Sequence, residues 1–282
     1  MVPRFSRADH LGRPRRDVAQ SGPRLLRSAA SMVQPMPARP KSKSRRILPP
    51  DPALRSRARK ILTRLAKAYP DWGPTLTFSS PLELLVATIL AAQAQDERIN
   101  QVTRVLFTKY RTPADYAAAP KGVLERDIKA TGFFNLKAKR LRAMARGLLD
   151  EFGGEVPSDM EGLTGLSGVG RKTASIVLGA AFGVPAVAVD RHVERVAQRL
   201  RVDRAGPDIE ASLRAIYPKK DWIKATWCFV LHGRRICRPT PLCPICPIND
   251  LCPYPKKTKT LPAALRSNQQ ELPTRARGRP PR

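Results

Sequence analysis

Leu163-Thr164-Gly165-Leu166-Ser167-Gly168-Val169-Gly170-Arg171-Lys172-Thr173-Ala174 places two glycines one residue apart between two short helical patterns, and the rest of the chain is best read outward from it. Glycine tolerates positive φ and removes the side chain from the backbone. Amides of the tight turn and of the first turn of the next helix, from Gly168, Val169 and Gly170 to Arg171 and Thr173, can then point at a phosphate. The positive end of the helix dipole assists them. Such a contact reads no base. A Gly-Val-Gly turn also joins helices for purely structural reasons, so its meaning depends on its company.

On both sides of this stretch the periodicity is helical. From Ala53 the residues Ile61, Leu62, Leu65 and Ala68 share one face of an amphipathic helix ending near Pro70. Residues 81–92 are apolar nearly all round, as in a helix buried on every side. Further helices are predicted at about 96–110, 113–118, 121–130, 135–152, 159–164, 171–182, 190–201, 207–215 and 219–232. No segment alternates with period two for long, so the fold class is all-α.

The 282 residues suffice for one or two domains with their own core. Lys and Arg outnumber Asp and Glu by 52 to 23, and the net charge of +29 calls for a polyanionic partner, nucleic acid before membrane surface. Residues 1–50 carry +10 and eight prolines, and read as a disordered basic N-terminal extension. Residues 256–282 carry +7 and read as a basic disordered tail, while 51–255 carry +12. The longest apolar stretches, Leu84–Ala92 and Ala174–Val189, fall short of a bilayer span. The expectation is a cytoplasmic, nucleoid-associated monomer that does not engage a membrane. Five cysteines, four of them between Cys237 and Cys252, favour metal ligation over a disulfide framework.

Lys172 falls in the first turn of the helix that follows the glycines, beside the expected phosphate site. An amine there can attack the sugar carbon that bears a base, form a Schiff base and lead to expulsion of the 3′ phosphate. Loss of the base passes through a sugar with cationic character, which a carboxylate stabilises. Asp190, in Ala188-Val189-Asp190-Arg191-His192-Val193, opens a helix eighteen residues after Lys172 and is the candidate carboxylate. It is also a good helix N-cap, and both roles are compatible. His192 reads as a packed or capping histidine with a DNA contact as the alternative. Cys237, Cys243, Cys246 and Cys252 supply four thiolates within sixteen residues, a set suited to a [4Fe-4S] cluster. Zinc is the rival, but one close pair flanked by two single cysteines differs from the two close pairs usual in structural zinc sites. Cys228 lies in an apolar run and reads as core.

Taken together, Leu163–Ala174, Ala188–Val193, Leu231-His232-Gly233-Arg234 and the four clustered cysteines resemble the endonuclease III family over roughly 52–255. The resemblance implies a two-lobed all-α helix-hairpin-helix glycosylase fold: a six-helix barrel lobe at 74–184 containing the hairpin 159–182, and an iron-sulfur cluster lobe from 51–73 and 185–255. It places a DNA cleft between them. It implies a bifunctional DNA glycosylase and abasic-site lyase of base excision repair, acting on double-stranded DNA that contains damaged pyrimidines or abasic sites. By the same similarity Lys172 is the nucleophile, Asp190 the catalytic carboxylate, and the four cysteines hold the cluster. Gln93 would fill the hole left by a flipped nucleotide, and Phe133 would wedge beside the orphaned base. Three features depart from the family: the first cysteine interval is five residues where six is usual, Ser167 replaces a common proline, and Arg191, expected near DNA, replaces a threonine. The rival functions are an adenine mismatch glycosylase, which generally lacks the lysine, and a non-catalytic DNA-binding or redox-sensing iron-sulfur protein.

Overall fold

The computed structural model describes residues 50–203 and 208–262, and every regular element among them is helical. The sequence-based readings of 1–49 and 263–282 lie outside the described residues. Helix α1 (Pro52–Ala68) starts at the Asp51 cap and turns Leu54, Ala58, Ile61, Leu62 and Leu65 inward, the stripe expected from its periodicity. Helix α2 (Pro81–Leu90) is capped by Ser80. Its Leu84, Leu85, Val86 and Ala87 are all fully buried, so the apolar run is a helix enclosed on every side. Helices α3 (Asp96–Lys109), α4 (Pro113–Ala118), α5 (Val123–Asp127), α6 (Phe134–Phe152), α7 (Met160–Gly165) and α8 (Arg171–Ala181) follow. Then come α9 (Arg191–Leu200), α10 (Ile209–Ile216) and α11 (Trp222–Arg235).

Buried apolar side chains form two groups. One runs from Leu82 to Leu178, built from α2 through α8. The other joins α1 to residues beyond Val187. The described residues therefore begin in the second core, cross to the first and return, and α8 is followed by the segment that leads into α9.

Several boundaries moved, each for a local reason. The helix expected over 81–92 stops at Leu90, because the backbone turns left-handed at Gln93 (φ 57°). The helix expected over 219–232 begins as a 3-10 turn at Lys219–Asp221 and then runs three residues longer, so His232, Gly233 and Arg234 lie on α11. Gly233 belongs there because a Cβ at that position would lie 2.8 Å from the His192 Cβ, and the α9–α11 crossing leaves it no room. The tail predicted from 256 is corrected at its start. Lys257 Nζ donates to the Asn249 carbonyl at 2.6 Å, and the Thr258 hydroxyl donates to the Pro241 carbonyl at 2.7 Å while accepting the Cys243 amide at 3.2 Å. Composition reads these residues as solvated, whereas their polar atoms satisfy backbone groups of the cysteine loop.

Candidate nucleic-acid interface and cysteine loop

The hairpin is held from below. Asp159 caps α7 by accepting the Gly162 amide at 2.8 Å, and the buried Leu166 and Val169 anchor the turn, with the Val169 amide on the Leu166 carbonyl. Gly168 has φ +79°, a backbone conformation that demands glycine, and a Cβ there would crowd the Arg140 side chain at 3.1 Å. Gly170 opens α8 with no side-chain cap. The first-turn amides, from Arg171 through the half-exposed Thr173, therefore face solvent without a capping acceptor, the arrangement that receives an anion.

The Arg171 side chain is paired with an acid in this structure. Its guanidinium makes a bidentate pair with Glu210 on α10, both bonds 2.7 Å, which raises its pKa further, and Arg214 approaches the same carboxylate at 3.4 Å. The pair ties the hairpin helix to the second core, a contact thirty-nine residues away in the chain.

Lys172 is exposed and lines, with Arg171, an open depression. Val187, Val189 and Glu194 line it too, so the first turn of α8 lies against the segment that ends in Asp190. Asp190 caps α9: its Oδ1 accepts the His192 and Val193 amides, both at 2.8 Å. Among the described residues its Oδ2 makes no hydrogen bond, which leaves one carboxylate oxygen for chemistry while the other holds the helix. Arg191 is exposed beside it. His192 is half-buried, packed on Gly233 with its Nδ1 3.1 Å from Arg195, and burial lowers its pKa.

Gln93 and Phe133 share a distinction that the sequence did not signal. Of the three non-glycine residues with positive φ among the described residues, they are two, at 57° and 48°. Left-handed backbone is unfavourable for a side chain with a Cβ and is retained where the surroundings impose it. Phe133 is 65% exposed, the most exposed of the large apolar side chains described. Gln93 is exposed as well. Two strained turns thus project one polar and one aromatic side chain into solvent.

The four cysteines Cys237, Cys243, Cys246 and Cys252 line one small cavity walled by α9 and α11. Among the described residues no three His, Cys, Asp or Glu side chains are grouped so as to hold a single metal ion. Four cysteine sulfurs around one cavity are a soft donor set of the kind that zinc and iron-sulfur clusters both take. The shortened first interval is pinned by two arginines one turn apart on α9. Arg195 donates to the Cys237 and Gly233 carbonyls, both at 2.9 Å. Arg199 donates to the Arg238 and Pro239 carbonyls at 2.6 and 2.8 Å and lies 3.3 Å from the Cys237 sulfur. His232 backs the loop: burial pushes its pKa down to about 3, and it spans from the Tyr69 hydroxyl at 2.8 Å to the Cys246 sulfur at 3.8 Å. Cys228 is fully buried in the second core, with its thiol pushed up to about 12 by burial, as a packing cysteine should be.

Sequence reading missed Arg140, Arg195, Arg199, Glu210 and Lys137. The basic pair at i and i+4 on α9 offered a weak signal. Lys137 offered a stronger one, a charge on the apolar stripe of α6. No helix among the described residues is long and apolar enough to cross a membrane.

The family described as HhH-GPD superfamily base excision DNA repair protein matches residues 86–219. Endonuclease III of Bacillus subtilis (strain 168) is 42% identical over 195 residues, 68% of this chain and 89% of that protein. A solved trapped endonuclease III–DNA covalent intermediate, an estranged-adenine complex, is 43% identical with a TM-score of 0.68 and covers 71% of this chain and 96% of its own. A thermostable thymine-DNA glycosylase shares the fold, with a TM-score of 0.66 at 24% identity over 72% of this chain and 98% of its own. On the relatives' identity and coverage, this chain belongs to the endonuclease III family of base excision DNA repair proteins.

Proposed function

We propose that this protein removes damaged pyrimidines from double-stranded DNA and cleaves the resulting abasic strand through a covalent Lys172 intermediate. Membership of the family makes the chain a base excision repair enzyme, a DNA N-glycosylase and abasic-site lyase. The finer reading rests on one observation above all: an exposed amine in the first turn of an uncapped helix lies against the segment that ends in a carboxylate with one oxygen uncommitted.

The hairpin amides of Gly168, Val169, Gly170 and Thr173 receive a backbone phosphate and set the register of the strand. Gln93 enters the gap left by the flipped nucleotide, and Phe133 stacks beside the orphaned base, replacing the lost pairing and stacking. The Lys172 Nζ attacks the anomeric carbon as the glycosidic bond breaks, and the base leaves with the electron pair of that bond and takes up a proton. Asp190 stabilises the cationic sugar through Oδ2 and accepts the proton that the amine sheds. The sugar ring opens to the Schiff base. Loss of a proton from the neighbouring carbon then breaks the bond to the 3′ oxygen and expels the phosphate, and water releases the lysine. The covalent intermediate trapped in the related endonuclease III–DNA complex supports this route.

Cys237, Cys243, Cys246 and Cys252 would hold a [4Fe-4S] cluster, as expected for the family. When bound, it would cross-link four points of the loop after α11 to one another, in place of a hydrophobic core that sixteen loop residues cannot build.

Borohydride reduction on abasic duplex DNA tests the reading. Wild-type protein should become covalently attached, and Lys172→Gln should lose both trapping and cleavage while keeping most of its affinity, since only one positive charge is lost. Undiminished trapping in Lys172→Gln would overturn the assignment.

A further inference from the structure

Lys137 is a cation in an apolar stripe. It lies on α6 with Ala138, Leu141, Met144, Ala145 and Leu148 on the buried face, and it is only 3% exposed. Its pKa is lowered by burial, and no carboxylate among the described residues pairs with it. Its ammonium donates instead to two main-chain carbonyls, those of Leu90 and Thr131, each at 2.7 Å. A methionine would fill a similar volume without desolvating a charge. What the ammonium adds is one bond to each of two loops.

Those loops are the ones that carry the left-handed side chains. Leu90 ends α2 three residues before Gln93, and Thr131 lies two residues before Phe133. The third anchor is the α6 backbone, because the Lys137 amide donates to the Phe133 carbonyl at 3.0 Å. One side chain and its own amide therefore touch both turns, and charge-assisted bonds of this length are stiffer than neutral ones.

We propose that Lys137 is a positioning residue that locks the turns of Gln93 and Phe133 into one rigid two-part wedge, so that the gap is filled and the orphaned base is held in a single insertion. The inference rests on the wedge roles given to Gln93 and Phe133 above.

A double-mutant cycle tests it on full-length protein. Lys137→Met is made in the wild-type background and in a Gln93→Ala/Phe133→Ala background. Cleavage of a duplex with a pre-formed abasic site is followed under single-turnover conditions, and insertion by fluorescence of 2-aminopurine placed opposite a non-cleavable abasic analogue. Lys137→Met should slow wild-type cleavage by about tenfold, about 1.4 kcal/mol of activation free energy, and reduce the fluorescence change on binding. In the wedge-less background the same substitution should change the rate by less than about twofold, because nothing is left to position. Equal losses in both backgrounds, or none in either, would overturn the positioning role while leaving the wedge intact. A wild-type rate from Gln93→Ala/Phe133→Ala alone would instead overturn the wedge reading, and the inference with it. If Lys137→Met does not fold, Lys137→Gln, which keeps a shorter donor, replaces it in the same cycle with the same outcomes.

Discussion

Replacing Asp190 by asparagine and, separately, by alanine separates the two jobs of one carboxylate. Its Oδ1 holds the His192 and Val193 amides at 2.8 Å, and in the proposed reaction Oδ2 faces the sugar cation. Asparagine keeps an acceptor oxygen in the cap and loses the charge, so the stability change is limited to the helix-dipole contribution of about 0.3–1 kcal/mol. Alanine loses both bonds and should destabilise by about 1–2 kcal/mol, a Tm lower by about 2–8 °C for a protein of this size. Both variants remove the negative charge that faces the developing cation, and both should slow base release by about 10²–10³ in a single-turnover assay. Cleavage at a pre-formed abasic site should suffer less, since the base has already gone. The two-role account fails if Asp190→Asn releases base at the wild-type rate, or if the two variants lower Tm equally.

Gly233→Ala puts a methyl group 2.8 Å from the His192 Cβ at the α9–α11 crossing, and should destabilise by about 1–3 kcal/mol in denaturant unfolding; a change below the error of the measurement would contradict the close approach. Arg142 bonds both oxygens of Glu125, at 2.7 and 2.9 Å, and holds that carboxyl down at about 2 from an ordinary 4.5. The stability it contributes is complete above about pH 4.5 and is lost as pH falls toward 2, so Glu125→Gln should flatten the pH dependence of unfolding in that window, and an unchanged slope there would refute the pairing. Purified protein should be yellow-brown with about four irons per chain. Cys243→Ala should lose the iron and folded yield with it, whereas Cys228→Ala, in the second core, should keep the colour; one zinc per chain and no visible absorption would show the wrong metal.

Helix by helix, the architecture was legible because its signals are local. Apolar residues at three- and four-residue spacing need only their own turn to declare a helix, and α1, α4, α6 and α8 begin and end within two residues of where that spacing placed them. The hairpin glycines, Lys172, the Asp190 cap and the four cysteines were visible for the same reason, since each depends on residue type at short range. Tertiary structure decided where long polar side chains went. Nothing near Arg171 in the chain announces Glu210, and nothing near Lys137 announces the Leu90 carbonyl forty-seven residues away. Lys257 and Thr258 looked like tail until the loop around Cys243 and Asn249 needed donors and acceptors. The positive φ of Gln93 and Phe133 was equally hidden, because neither residue type prefers it and only the packed neighbourhood imposes it. A helix is chosen by the free energy of its own turns and its apolar face, whereas the partner of a buried ammonium or a strained loop is chosen by whichever distant groups the finished core brings within about 3 Å.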